Sequence, residues 1–516
     1  MLPRMQRRSF LAITGASGAA LAIPRGAGAV PGNLREVADA ALSTARTLGA
    51  TYADVRLVRV RHEHLSTRDD HVSSASAFDS FGAGVRVLIK GTWGFAASQD
   101  VTPAGARAAA HRASEIARAN AKLQKTPVAL APATPARDTW QTPVAKDPFR
   151  VPLSRKLEIL FDVNKAARAP GIPVVAVHGQ IHSMSEEKLF FSSEGAEIDQ
   201  TIVRVDPGYT VIVAENGDFE HRGFQAAPQA AGFEYVEEIQ MAEAAPRVAR
   251  EALEKMKADV VTPGEKDLVL LPTHLWLTIH ESIGHSTELD RALGYEANFA
   301  GTSFATPDKT GQLVYGGENF TVYADKTTPG GLATCGYDDD GMKTQKWNLI
   351  ERGVLVDWQT TREQAALIGA KEGHATAYAE SWAAEPFQRM PNVSIKAGEK
   401  AASLDDLMKG VDDGLLLDGD SSYSIDQQRL NFQFSGDMAW TIKNGKKDKP
   451  VRHAAYQSTT TSFWKSLDQL GDASTWAMGG AMSDGKGEPM QSNPVSHGCP
   501  VSRFRKVRVL DARGQS

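Results

Sequence analysis

The chain has 516 residues, too many for one packed core, so it folds as more than one unit. Its formal charge is −5, and it falls to −9 once an amino-terminal leader takes Arg4, Arg7, Arg8 and Arg25 with it; that balance argues against nucleic acid as a partner. Two cysteines, Cys335 and Cys499, are too few for a disulfide scaffold.

Residues 1–29 read as a twin-arginine signal. Arg7-Arg8-Ser9-Phe10-Leu11-Ala12 precedes a Gly- and Ala-rich apolar stretch ending near Ile23, and the small Ala27 and Ala29 suit cleavage after Ala29. Export by this route, to a periplasmic or other extracytoplasmic space, is expected. The stretch is too short and Gly-rich for a membrane span, and no later segment approaches 18 uninterrupted apolar residues, so no span is expected after cleavage.

The mature chain predicts an α+β fold: two amino-terminal α+β units followed by a mostly antiparallel β carboxyl-terminal domain. Residues 30–125 hold a helix near Leu34 to Leu48, strands at Tyr52 to Arg61 and Gly84 to Ile89, and an Ala-rich helix from Pro103 to Leu123. A linker rich in Pro and Ala spans 126–148. Residues 149–264 follow with a helix at Leu153 to Ala167, alternating strands from Val174 to Gly217 and a helix at Tyr235 to Ala258. Residues 265–516 turn to short strands separated by Gly, Asp and Pro, with a helix at Glu363 to Lys371. A hairpin is expected around Leu430 to Ile442, with Asn444-Gly445 supplying positive φ angles. His62, His64 and His71 read as an exposed loop, and Asp338-Asp339-Asp340 as a solvated acidic turn. Gly479-Gly480 and Gly485-x-Gly487 lack the strand and helix that a phosphate loop needs.

The most informative stretch begins where the apolar run Asp267-Leu268-Val269-Leu270-Leu271 and the helix start at Pro272-Thr273 lead into His280-Glu281-Ser282-Ile283-Gly284-His285. Two imidazoles can hold a transition metal while the carboxylate beside the first accepts a proton from metal-bound water. The second histidine comes one residue later than in the common motif. On a regular helix, side chains five positions apart diverge by roughly 140°, so either a π-type widening or a helix end near Gly284 is required. Glu288 and Asp290 follow, able to ligate or to orient the imidazoles. The Gly- and Pro-rich stretch from Ser483 to Pro500 reads as a shaped loop, and it offers Asp484, His497 and Cys499. Either Cys499 or Asp484 would complete a zinc site.

These residues resemble the TldD/PmbA family of metallopeptidases, whose His-Glu-x-x-x-His-x-x-x-x-Asp signature matches at His280, Glu281, His285 and Asp290. Similar echoes occur at Gly49 to Leu57, Phe81 to Leu88, Gly91 to Ala96, Tyr337 to Gly341, Leu349 to Gly353 and Arg389-Met390-Pro391-Asn392, so the resemblance spans nearly the whole mature chain. In the TldD branch the third ligand is a cysteine in a Cys-Gly-Lys-type turn before a Gln-x-x-Pro-Val-x-x-Gly-x-Pro segment. Gln491 to Pro500 matches the segment, but the turn reads Asp484-Gly485-Lys486. Cys499 is the preferred third ligand, with Asp484 the alternative and His497 beside the metal ligands or substrate; a Cys335–Cys499 disulfide would rule out thiolate ligation.

The resemblance implies one zinc ion per catalytic chain, extended or unfolded peptides as substrate, and a dimer with an identical chain or a TldD/PmbA-type relative. The expected activity is zinc-dependent peptide hydrolysis with Glu281 as the base. Two rival readings are a peptide-binding or assembly protein with a structural metal, and a metal-dependent amidase acting on a small molecule or a cell-wall peptide.

Overall fold

The computed structural model describes residues 32–513, so the expected twin-arginine leader lies outside the described residues. The chain folds as α+β. Its amino-terminal half is built on a seven-stranded sheet in the order Thr92–Ser98, His71–Ile89, Tyr52–Arg68, Val174–Ser192, Glu197–Glu215, Arg137–Gln141, with Asp218–Gly223 also on Glu197–Glu215. The two α+β units therefore share one sheet, joined where Tyr52–Arg68 runs antiparallel to Val174–Ser192 from Asp54↔Ser192 to Arg68↔His178. Arg137–Gln141 falls within the expected linker and pairs with Glu197–Glu215 as a parallel edge.

Strand alternation decides what each face meets. On one face Val55, Leu57 and Leu189 pack against helices Gly32–Thr47 and Pro103–Asn120, and Leu65, Val177 and Ile181 against Leu153–Arg168 and Met241–Lys257. Small residues bring helix and sheet close: a Cβ on Gly94 would lie 2.0 Å from the Ala113 carbonyl oxygen. The opposite face carries Arg56, Val58, Val60, Met184, Glu186 and Lys188 toward the carboxyl-terminal domain. There Val58, Val60 and Met184 pack with Trp382 and Met482, and Arg56 donates to the Ala384 carbonyl at 2.7 Å.

The expected helix at Tyr235 to Ala258 is two helices, Phe233–Glu238 and Met241–Lys257, broken at Gln240, whose φ is 48°. His62 and His64 lie on strand Tyr52–Arg68, half-buried against His182, rather than in an exposed loop. The Asp338 to Asp340 turn is buried, with Asp340 on Arg86 and Asp339 on Lys188. Charges from the first sheet fill the space where solvent was expected.

In the carboxyl-terminal domain an eight-stranded sheet closes on itself through Asp413–Ile425, Gly264–Leu270, Ser502–Asp511, Ala454–Thr459 and Asn431–Lys443, the last pairing back to the first. Phe432, Phe434, Tyr456, Phe463 and Phe504 stack in its core. The Asn444-Gly445 turn forms as expected, with φ of 48° and 77°. Strand Gly264–Leu270 delivers helix Pro272–Ile279. Across that helix lies a hairpin of Ala477–Lys486 and Gln491–Cys499, where a Cβ on Gly479 would overlap the Trp276 ring. No described helix is long and apolar enough to cross a membrane.

Candidate metal centre

Pro272 starts the site helix at its first turn, where a missing N–H costs nothing. The helix then widens into a π turn over His280–Gly284, with the His285 N–H bonding the His280 carbonyl five residues back, and tightens to a 3-10 turn at His285–Thr287. This is the first of the two geometries that the histidine spacing demanded. It brings the two imidazoles together, ring centroids 4.6 Å apart. The carbonyls the irregular turn frees are met by side chains: Gln359 Nε2 donates to Gly284 O at 2.6 Å, and Thr287 Oγ1 to Ile283 O at 2.8 Å. Gly284 is required by packing, since a Cβ there would lie 2.5 Å from Met390 Sδ.

The third donor is Asp484. Residues 483–500, expected as a loop, belong largely to the hairpin, and an irregularity between Ala481 and Asp484 sets Asp484 opposite Asn493 and turned to the histidines. Its Oδ1 lies 3.5 Å from His280 Nε2 and 3.6 Å from His285 Nε2. Buried Arg389 grips it, one arm 3.2 Å from Oδ2. Burial alone would raise the Asp484 carboxyl, but His285, His280 and Arg389 together hold it far below the usual range.

Cys499, the preferred third ligand on sequence grounds, is not in this cluster. It sits two residues past His497 in the apolar core, a free thiol that burial pushes up, and Cys335 is free as well. The trio His280, His285 and Asp484 has its donor atoms within 4.8 Å of one another.

Hydrogen bonds fix which nitrogen each histidine offers. His497 Nδ1 lies 2.9 Å from the Val393 carbonyl, which only accepts, so Nδ1 carries the proton and Nε2 is bare. That bare nitrogen, 2.8 Å from His280 Nδ1, accepts its N–H and leaves His280 Nε2 facing Asp484; burial would lower His280, but the Asp484 carboxylate raises it. His285 Nδ1 donates to Glu288 Oε2 at 2.8 Å, freeing its own Nε2. Burial keeps His497 well below its ordinary value and pushes His285 down to about 4, so both are neutral near pH 7. Glu288 is itself held by Arg291 Nε at 3.0 Å and Lys486 Nζ at 3.1 Å. Asp290 touches neither imidazole; it accepts from Lys486 at 2.8 Å and so steadies Glu288 indirectly.

Glu281 projects beside His280 and pairs with Arg429, and its charge pushes the nearby Tyr423 hydroxyl up. Arg429, Tyr423 and Gln359 had no sequence signal; each comes from an element distant in the chain. Arg389 and Lys486 stood inside the Arg-Met-Pro-Asn and Asp-Gly-Lys segments already singled out.

The donor set fits zinc. Nitrogen and oxygen ligands at tetrahedral zinc stand about 3.4 Å apart, near the separations from Asp484 to each imidazole. Two imidazoles and a carboxylate are ordinary zinc ligands.

Three stretches of the chain match, in order, the domains of one family: residues 53–117 the PmbA/TldA metallopeptidase domain 1, residues 146–259 its central domain and residues 263–511 its C-terminal domain. A metalloprotease of Methanothermobacter thermautotrophicus is 26% identical over 462 residues, covering 89% of this chain and 95% of the relative. A protein of Saccharolobus solfataricus named as a zinc metalloprotease TldD homologue is 23% identical over 483 residues, covering 91% of this chain and 98% of its own. Among solved structures, a candidate modulator of a DNA gyrase from Thermotoga maritima shares the fold, with a TM-score of 0.71 at 16% identity over 92% of this chain and all of the other (100%).

Proposed function

Because the chain belongs to the PmbA/TldD metallopeptidase family, we propose that it is a zinc-dependent peptidase acting on unfolded or extended peptides. The observation that carries this is the pairing of a three-donor cluster, His280, His285 and Asp484, with a carboxylate, Glu281, directly beside it. Among the described residues three donors cluster here, not four, and three leave a coordination position free for chemistry, whereas a structural site is normally closed. When bound there, zinc supplies Lewis acidity, making water acidic near neutral pH and drawing charge onto the carbonyl oxygen under attack.

The protein's own groups do the rest. His497 and Glu288 hold the imidazoles in the ligating tautomer. Glu281 takes the proton from the attacking water and returns it to the leaving amine. The Arg7-Arg8 leader supports export by the twin-arginine route, and family membership supports a dimer with a second PmbA/TldD-type chain.

Glu281→Gln keeps the shape of the side chain and removes its basicity. The variant is expected to retain zinc and to lose nearly all hydrolysis of an unfolded peptide, measured by product release with metal content determined in parallel. Wild-type rates in that variant would overturn the assignment.

A further inference from the structure

The peptidase reading leaves one buried charge without a role. Arg429 stands in the turn between strands Asp413–Ile425 and Asn431–Lys443 with φ at 63°, a left-handed conformation that a non-glycine residue holds only where its surroundings enforce it. Here they do. The Asp426 carboxylate accepts from the backbone N–H groups of Gln428, Leu430 and Asn431, and the Thr460 hydroxyl donates to the Arg429 carbonyl at 2.6 Å. The guanidinium is left with 13% of its side chain exposed, one arm on Glu281, the other 3.4 Å from the Ala300 carbonyl oxygen, and its Nε buried with no hydrogen-bond partner. Its charge acts on His280, His285 and Asp484 as well as on Glu281, which sets it at the metal centre.

We propose that Arg429 is a catalytic residue, the counter-charge of Glu281 before the reaction and of the carbonyl oxyanion during it. The charge balance favours this role. As the water oxygen bonds to the carbonyl carbon, a water proton passes to a Glu281 oxygen and the carbonyl π pair moves onto the carbonyl oxygen. Glu281 is then neutral, and the negative charge stands on the substrate instead. A largely buried guanidinium whose paired carboxylate has become a neutral acid would lose its nearest counter-charge, which is costly. Turning its donors, the unpartnered Nε among them, to the new anion restores the pairing. When the C–N bond breaks, its electron pair goes to nitrogen, the proton passes from Glu281 to that nitrogen, the carbonyl re-forms, and Glu281 regains its charge and its partner. An interaction made only at the charged stage raises kcat and leaves KM little changed. The rigid turn fixes the Arg429 backbone, so only its side chain has to move between the two anions.

This inference rests on the peptidase reading, and the test separates the two. Zinc-loaded wild type, Arg429→Gln and Arg429→Lys, each checked for zinc content and thermal unfolding, would be assayed for kcat and KM on an unfolded peptide. Each would also be titrated with two uncleavable analogues of that peptide, a phosphinate bearing a tetrahedral anion and a neutral reduced-bond isostere. Arg429→Gln is expected to lose about 10²- to 10³-fold in kcat, as removal of an oxyanion donor does, and a comparable factor in phosphinate affinity, while holding the neutral analogue as wild type does. Arg429→Lys should fall between. Wild-type kcat in Arg429→Gln, or equal losses for both analogues, would overturn the inference while leaving a peptidase. A wild-type protein that hydrolyses no peptide would overturn the peptidase reading and this inference with it.

Discussion

His280 can offer Nε2 to a metal because its other nitrogen is held by His497, whose own proton is committed to the Val393 carbonyl. His497→Leu removes that acceptor and frees His280 to adopt the wrong tautomer. A loss of about 10- to 100-fold in zinc affinity is expected, the usual effect of removing a partner of a metal-bound histidine. His497→Gln, with an acceptor oxygen and a donor nitrogen on one side chain, should retain more; competition with a chelator reads both. The two histidines and Glu281 were legible from spacing, but the third donor was not. Cys499 was preferred over Asp484, both being reasonable zinc donors, and only the irregular pairing near Ala481 to Asp484, which no residue pattern announces, sets which one meets the helix.

The π turn is the element on which the site depends, and it is held from outside by Gln359, which donates to both Gly284 O and Thr287 Oγ1. Gln359→Leu takes from the buried Gly284 carbonyl its shorter donor and leaves only the Thr287 hydroxyl at 3.3 Å, so a loss of about 1–3 kcal/mol is expected, seen as a lower denaturant midpoint together with weaker zinc binding. A variant as stable and as tightly zinc-binding as wild type would show that the turn is self-supporting. The need for an irregular helix followed from the five-residue spacing alone, whereas Gln359, 75 residues from Gly284, left no mark there. The hairpin around Asp484 was missed for a related reason. Its glycines looked like loop residues, but Gly479 is small because Trp276 of the site helix packs against it.

Across the whole molecule, buried charges lock the first sheet to the carboxyl-terminal domain. Glu186 lies with Arg204 and Lys188 and accepts from the Tyr378 hydroxyl at 2.9 Å. Burial would raise its carboxyl, but Arg204 and Lys188 bring it from 4.5 down to about 2. A depressed carboxyl stabilises the fold above the unfolded value and stops doing so as pH falls toward the folded one. That contribution, on the order of 3 kcal/mol, should fade between pH 4.5 and 2. Glu186→Gln is expected to melt well below wild type at pH 7, the gap narrowing toward pH 2.5; a gap independent of pH would contradict this. The α+β class and most long elements were readable from periodicity, but the sharing of one sheet by both amino-terminal units was not, because alternation reveals a strand's faces and not its neighbours. The burial of Asp338 to Asp340 escaped for the same reason, since Arg86 and Lys188 come from that sheet. Folding of the carboxyl-terminal domain brings Asp484 to His280 and His285. The most direct test is the zinc content of the purified Asp484→Ala and Cys499→Ser proteins: Cys499→Ser should keep its zinc and Asp484→Ala should lose it, while the reverse would contradict the centre described.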